Sequence, residues 1–380
     1  MRIVYLHACE IPSVFANGVH VMRMCDAFAD AGHDITLYAA TGNVSAEDVH
    51  AYYGTRNRFP VRIFGTPRVP VLGLWIRAWR IRRAVRRSGA VDLVYGRDLY
   101  ALLAAAGLAP LVYETHLLRP RRGQRALERV LFRLPGLIRV VTVTQALARD
   151  YLRTVPRLRR PGGPEVVSVP DCADLPAATG TTATLPGRPD ALKVGYVGHL
   201  YPGRGIDVVF DLAASLPEAD FHLVGGTDED LAHWRGRPRT PNVYFHGHLP
   251  PAELHPYYRA FDLVLAPYQR RVAVAGGMGD ISRWISPMKL FEYMAHGKAI
   301  IASDLPVLRE VLTDGVNCLL CRPEDVAAWT AAVRRLADAP EERAALGETA
   351  ERVLSGEYTW RARVDRVLPR SDGASARGGA

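Results

Sequence analysis

The sequence of 380 residues has no apolar run long enough to cross a bilayer. Its longest, Ala101 to Tyr113, is broken by Gly107 and Pro110 and falls short of the ~20 residues that a spanning helix needs. It also lacks the basic, apolar, small-residue order of a secretory leader, because Met1 to Leu6 runs directly into His7, Cys9 and Glu10; the expectation is a cytoplasmic chain. Cysteine is scarce. Five residues, an odd number scattered along the chain, exclude a disulfide framework and point to free thiols in a reducing compartment. Cys318 and Cys321 form a lone CxxC with no second pair and no His nearby. The pair reads either as a redox or zinc site or, beside Val316, Leu319 and Leu320, as a buried strand end. No nucleic-acid reader motif accompanies the basic residues, so no nucleic-acid partner is expected.

What is present describes a folded protein: 48% apolar and 23% charged residues rule out wholesale disorder, and the length suits two α/β domains. The net charge of +9 is unevenly spread, with 26 Lys+Arg against 15 Asp+Glu in residues 1–190 and 22 against 24 in residues 191–380. The densest basic stretch interleaves Arg77, Arg80, Arg82, Arg83, Arg86 and Arg87 with Trp75, Ile76, Trp79, Ile81 and Val85 at helix-compatible spacing. A second cluster follows at Arg119, Arg121, Arg122, Arg125 and Arg129. Segments 76–87 and 119–129 read either as a surface for anionic membrane lipid or an acidic acceptor, or as a solvated helix face.

The first half alternates short apolar strands with helices. Strands are expected at Arg2–His7, Ile35–Ala39, Leu93–Tyr95, Leu111–Tyr113, Val140–Val143 and Val166–Val169, with a helix over Val19–Ala31 closed by Gly32. Such alternation predicts a parallel sheet covered on both faces. Residues 176–191, rich in Ala, Thr, Gly and Pro, read as a linker between an N-terminal domain (1–175) and a C-terminal domain (192–358). The pattern then restarts with strands at Lys193–Val197, Phe221–Val224, Val243–Phe245, Leu263–Ala266 and Ala299–Ala302. The small polar tail 371–380 is expected to be disordered.

In open parallel sheets ligands sit at the carboxyl ends of strands. After Val197 comes Gly198-His199-Leu200-Tyr201-Pro202-Gly203-Arg204-Gly205, where glycines let the backbone approach a phosphate and Arg204 offers a forked cation. A stronger signal is Ser286-Pro287-Met288-Lys289-Leu290-Phe291-Glu292 through Gly297: Ser286 suits an N-cap, Pro287 the first helical position, and Gly297 the stop of a helix of about three turns. The helix start presents bare N–H groups and Lys289 adds charge, an arrangement for a diphosphate. Glu292 lies one to two turns further in, where its carboxylate can accept hydrogen bonds from ribose hydroxyls; a plain surface Glu is the alternative. Asp228-Glu229-Asp230 resembles an acidic metal motif but fits the start of a helix, where acidic residues favour the dipole.

Ser286 to Asp304 is similar to the donor-site helix of family-4 retaining glycosyltransferases. Asn17-Gly18, Val112 to His116, Thr142 to Ala146, Val169-Pro170-Asp171, the Gly198–Gly205 loop, Val243 to Gly247 and Tyr358-Thr359-Trp360 agree with that family in order. The resemblance implies a GT-B fold, α/β with two facing Rossmann-like doubly wound domains and a deep interdomain cleft, the N-terminal domain completed by a C-terminal helix over 359–370. It implies transfer of a sugar from a UDP- or GDP-linked donor to an acceptor, either a lipid-linked or polysaccharide glycan or a small aglycone, with retention and without a metal or other cofactor. By position it implies donor contacts at Gly18, Gly198, His199, Arg204, Phe245, Gly247, Met288, Lys289, Leu290 and Glu292. Arg204 and Lys289 would stabilise the leaving diphosphate, and His116 would face the transferred sugar or the acceptor. Two residues depart from the family. Trp284 stands where its first motif Glu is expected, so the 276–280 loop is expected to substitute through the Gly277 backbone or Asp280; His199 replaces a common Arg. A nucleotide-sugar epimerase and a noncatalytic donor-binding partner remain alternatives.

Overall fold

The computed structural model describes residues 1–42, 44–237, 240–273 and 279–369. The expected tail at 371–380 and the loop position Gly277 lie outside the described residues. In the N-terminal domain the elements run β1 (Arg2–Ile11), α1 (Ala16–Asp30), β2 (Asp34–Thr41), α2 (Val49–Tyr53), β3 (Val61–Ile63), α3 (Leu72–Arg87), β4 (Leu93–Gly96) and α4 (Leu99–Ala105). They continue with β5 (Leu111–Thr115), α5 (Arg122–Leu131), β6 (Leu137–Thr142), α6 (Gln145–Thr154) and β7 (Glu165–Ser168). The C-terminal domain opens with β8 (Lys193–Val197), α7 (Ile206–Ser215), β9 (Asp220–Val224), α8 (Asp228–Arg235), β10 (Val243–Gly247) and α9 (His255–Ala260). It ends with β11 (Leu263–Ala266), α10 (Met288–Ala295), β12 (Ala299–Ser303), β13 (Leu319–Cys321), α11 (Val326–Asp338) and α12 (Pro340–Glu357), after which α13 (Trp360–Val367) follows.

All strands pair in parallel, in two sheets ordered β3-β2-β1-β4-β5-β6-β7 and β10-β9-β8-β11-β12-β13. Each sheet is buried on both faces, as its near-continuous apolar strands require. In the first, Ile3, Tyr5 and Val112 pack with Phe28 of α1 and Val364 of α13 on one side. Val4, Leu6 and Tyr113 pack with Ile81 of α3, Leu102 of α4 and Leu147 of α6 on the other. The strand order reverses between β1 and β4 and again between β8 and β11, and such switch points open a crevice at the carboxyl ends of the strands.

These carboxyl edges face each other. Residues following β1, β6 and β7 meet residues of the second domain: Phe15 lies 6.1 Å from His199 between ring centroids, the amides of Gln145 and Ala146 donate to the Glu310 carboxylate at 2.7 and 2.8 Å, and the Asp171 amide donates to Ser286 Oγ at 2.8 Å. A cavity of about 260 Å³ lies at the join, walled by Arg23 and Trp360 of the first domain and Tyr258, Met288 and Glu292 of the second. The chain crosses back at its end: α13 packs on α1, so the last helix completes the first domain.

One strand escapes the sequence reading, β3, three residues long. Cys321 ends β13, Cys318 precedes it, and both are buried free thiols, the strand-end alternative. Asp228-Glu229-Asp230 opens α8 inside a capping box in which Thr227 Oγ1 accepts from the Asp230 amide and Asp230 returns the bond to the Thr227 amide.

Candidate functional site

The second domain's switch point gathers the cationic residues. β8 ends at Val197, and Gly198 turns the chain with φ +134°; a Cβ there would sit 2.9 Å from both Cε and Nζ of Lys289, so only glycine leaves the lysine its place. The Lys289 ammonium lies 3.6 Å from the centroid of the Tyr196 ring. Arg204 stacks over Tyr201 at 4.9 Å and Tyr268 at 5.4 Å, and donates to Tyr201 Oη at 3.2 Å. Lys289 reaches the same Tyr268 ring at 5.4 Å. Two cations thus converge on one tyrosine-walled corner, and Lys289 Nζ and Arg204 Nε are buried without a hydrogen-bond partner among the described residues. Burial, reinforced by Arg204, pushes the Lys289 amine well below its ordinary value. An anion placed between them would relieve both the desolvation and the like-charge repulsion.

The helix above this corner starts later than the sequence suggests. Pro287 takes the N-cap position and Met288 is the first residue of an eight-residue α10. Ser286 does not cap it: its hydroxyl is drawn across the domain boundary to the Asp171 amide. Gly297, at φ +58°, closes the helix as expected. The Leu290 side chain is core and its amide folds back onto Pro287 O, which leaves the Met288 and Lys289 amides as the donors of the helix start without an intrahelical partner. One turn on, Glu292 Oε2 accepts from Tyr258 Oη at 2.6 Å, while Oε1 has no partner among the described residues and the side chain lines the interdomain cavity. Burial raises the Glu292 carboxyl, opposed by the Tyr258 bond and by Arg23 and Lys289.

Other expected positions divide. His199 stacks on Tyr201 at 5.0 Å beside Arg204, and burial with the nearby cations lowers it to about 4, so it is a neutral donor or acceptor at pH 7. Gly247 turns the chain at φ +74°, its carbonyl taking the Gly225 amide at 2.7 Å. Phe245 points elsewhere: its ring packs towards Phe210 of α7 and Arg235 of α8, so only its backbone reaches the strand end. Gly18 stands not in a loop before the first helix but within its first turn, because α1 begins at Ala16; a Cβ there would lie 2.7 Å from Tyr53 Oη.

On the first domain's edge His116 belongs to a buried charge cluster. Glu114, the fourth residue of β5 and fully buried, has Oε1 2.6 Å from His116 Nε2 and 2.8 Å from His20 Nε2, and Oε2 3.1 Å from the Arg363 guanidinium. Tyr95 Oη also donates to Oε2. The other nitrogen of His20 meets Asp171 Oδ1 at 2.8 Å. His20 therefore lies between two carboxylates, hydrogen-bonded to Asp171 through Nδ1, with Nε2 2.8 Å from Glu114 Oε1. Burial lowers His116 to about 3, so it is neutral; Nε2–H donates to Glu114 and Nδ1 is left as an acceptor. Of this cluster, His20, Tyr95 and Arg363 carry no motif, and only the fold brings α1, β4, β5 and α13 together.

Trp284 lies at the boundary between the domains. Its indole N–H donates to Asp150 Oδ2 of α6 at 2.8 Å, and Arg283 reaches the same carboxylate at 3.0 Å, so the position fastens the two domains. Asp280 does not stand spare: its Oδ1 accepts from the amides of Val272 and Ser282.

The family model for "Glycosyltransferase Family 4" matches residues 18–160 and that for "Glycosyl transferases group 1" matches residues 191–339. Among curated relatives, a putative teichuronic acid biosynthesis glycosyltransferase of Bacillus subtilis is 27% identical over 32% of this chain, and the match spans 29% of that relative's length. The phosphatidyl-myo-inositol mannosyltransferase of Mycolicibacterium smegmatis is 24% identical over 93% of this chain and 90% of its own. Among solved structures, Anabaena HepE in complex with UDP superposes with a TM-score of 0.69 at 18% identity, covering 97% of this chain and 98% of that one. A sucrose-phosphate synthase from Thermosynechococcus elongatus gives 0.68 at 16% identity, covering 95% and 96%. One family model lies in each domain and the neighbours share the two-sheet architecture throughout, so the chain is a glycosyltransferase of the GT-B fold related to family 4.

Proposed function

We propose that the chain transfers a sugar from a nucleotide-diphosphate sugar to an acceptor with retention of anomeric configuration, and that Arg204, Lys289 and the start of α10 stabilise the departing diphosphate. The observation that carries this reading is the pair of unpartnered buried cation atoms, Lys289 Nζ and Arg204 Nε, at the second domain's switch point. Charge grows on the diphosphate as the glycosidic bond breaks, and fixed donors in a desolvated corner act where that charge develops. These side chains take the role a metal would fill, so EDTA is expected to leave turnover unchanged. Glu292 Oε1 holds the ribose, and His116 Nδ1 accepts a hydrogen bond from a hydroxyl of the transferred sugar or the acceptor. The departing phosphate oxygen takes the acceptor proton. In a screen of UDP- and GDP-sugars, one donor is expected to raise the melting temperature, and Glu292→Ala to weaken it about tenfold; unchanged affinity would remove the ribose role. Product linked with the anomeric configuration opposite to the donor's would end the retention proposal, and turnover of donor without acceptor would favour an epimerase.

We also propose that the N-terminal domain rests on anionic membrane lipid. On α3, Leu72, Ile76 and Trp79 recur at helical spacing and are 56%, 37% and 64% exposed, with Val71 60% exposed just before them. Arg80, Arg83, Arg86 and Arg87 border Trp79. A solvated face would not carry this apolar stripe, whereas a lipid surface buries it and pairs the arginines with headgroups. The layer continues through α4 to α5, which carries Arg122, Arg125 and Arg129. Among the described residues no helix is long and apolar enough to cross a membrane. The protein is expected to float with phosphatidylglycerol vesicles at low salt and not with phosphatidylcholine; if Arg80→Glu/Arg83→Glu floats as well as the parent, the surface lies elsewhere.

A further inference from the structure

The first domain has a switch point of its own, and its residues are not used by the donor chemistry. β1 and β4 pair up to Leu6 and Gly96 and then part, because β1 shifts register beyond Leu6 and continues along β2 while β4 ends. Gly96 makes the approach possible, since a Cβ there would strike Leu6 O, and the Arg97 amide donates to that oxygen at 2.9 Å. The next residues of the three neighbouring strands, His7, Arg97 and Glu114, therefore stand side by side at the carboxyl edge, with His116 two residues further on.

Two donors here are buried and without a partner among the described residues: Arg97 Nη1 and His7 Nε2. His7 Nδ1 accepts the Cys9 amide at 2.6 Å, so the ring hydrogen is on Nε2. The carboxylates nearby are already engaged, Glu114 by Arg363 and the His116 ring N–H, Asp171 by His20 Nδ1. Arg97 has no carboxylate oxygen within 4.0 Å among the described residues, and its charge is felt by both His7 and His116. A permanent cation beside a neutral N–H donor, in a crevice with spent carboxylates, selects an oxyanion over a neutral hydroxyl.

We infer that His7 and Arg97 form an acceptor subsite for an anionic group, a phosphoryl or a carboxylate, which sets the acceptor hydroxyl against His116. This rests on the transferase reading and names the acceptor's chemical class. The test measures binding of glucose 6-phosphate, glucuronate and glucose to the full chain with UDP saturating, and repeats it in Arg204→Ala so that binding at the donor corner does not count. One anionic probe is expected to bind at least tenfold more tightly than glucose in both backgrounds, and which one does so tells phosphoryl from carboxylate. Arg97→Gln is expected to erase that margin and Arg97→Lys, which keeps the charge, to retain most of it. Glucose binding equally well, or a margin that survives Arg97→Gln, overturns the subsite. Absence of any nucleotide binding by the parent protein would instead overturn the donor assignment, and the Arg204→Ala arm reads the anion preference regardless.

Discussion

Arg204→Ala is expected to lower kcat/KM by about 10²–10³-fold, the usual cost of removing one donor that stabilises developing charge. The residue is suited to this role because little else depends on it. Its guanidinium is held by stacking on Tyr201 and Tyr268 and by a hydrogen bond to Tyr201 Oη, with no carboxylate oxygen within 4.0 Å among the described residues. The variant should therefore melt near the parent's temperature, and the loss should fall mainly on kcat, because the diphosphate gains charge only as the bond to the sugar breaks. Arg204→Lys restores charge but neither the fork nor the stacking, so an intermediate rate is expected. Lys289→Ala acts on the same corner, and the double variant should lose less than the two single effects added, since each cation contributes to one shared field. Steady-state kinetics with the donor found by the screen decides it: activity of Arg204→Ala within threefold of the parent would detach this corner from the leaving group.

Glu114→Gln is expected to cost about 3–5 kcal/mol of first-domain stability, read by urea denaturation, because it leaves the Arg363 guanidinium as a buried charge without its counterion. Burial by itself would raise the Glu114 carboxyl, but His20, Arg363 and the His116 hydrogen bond outweigh it and hold the group well below its ordinary value. The sign follows. A carboxyl depressed in the folded state contributes stability that is complete above its unfolded value of ~4.3 and is lost as pH falls below it. The parent's stability should therefore drop steeply below about pH 4, and the Glu114→Gln curve should be flatter there. Removing the cation as well, in Glu114→Gln/Arg363→Met, should recover part of the loss; a double variant as unstable as the sum of the singles would mean the pair is not coupled.

The two-domain α/β architecture was legible because parallel strands buried on both faces are nearly continuous apolar runs, and Lys193–Val197 and Leu263–Ala266 coincide with their observed bounds. A three-residue strand such as β3 leaves too short a pattern to separate from loop. At the site, glycines and cations at strand ends were legible from local chemistry alone. What was not legible is what one domain takes from the other. Ser286 has the chemistry of an N-cap, yet its hydroxyl serves Asp171, which lies 115 positions away. Trp284 gave no sign of its tie to Asp150. The charge balance around Glu114 draws on α1, β5, the segment after β7 and α13, and no spacing rule connects positions so far apart.

Helix α13 brings a matter of timing. Arg363 anchors itself on the carbonyl of Val169, a separation of 194 residues, and translation at ~5–20 residues per second puts roughly 10–40 s between the emergence of the two. Through that interval the nascent first domain carries Glu114 in its interior without its guanidinium. Premature termination just before Trp360 would release a chain whose second domain is whole and whose first-made domain still lacks its last helix.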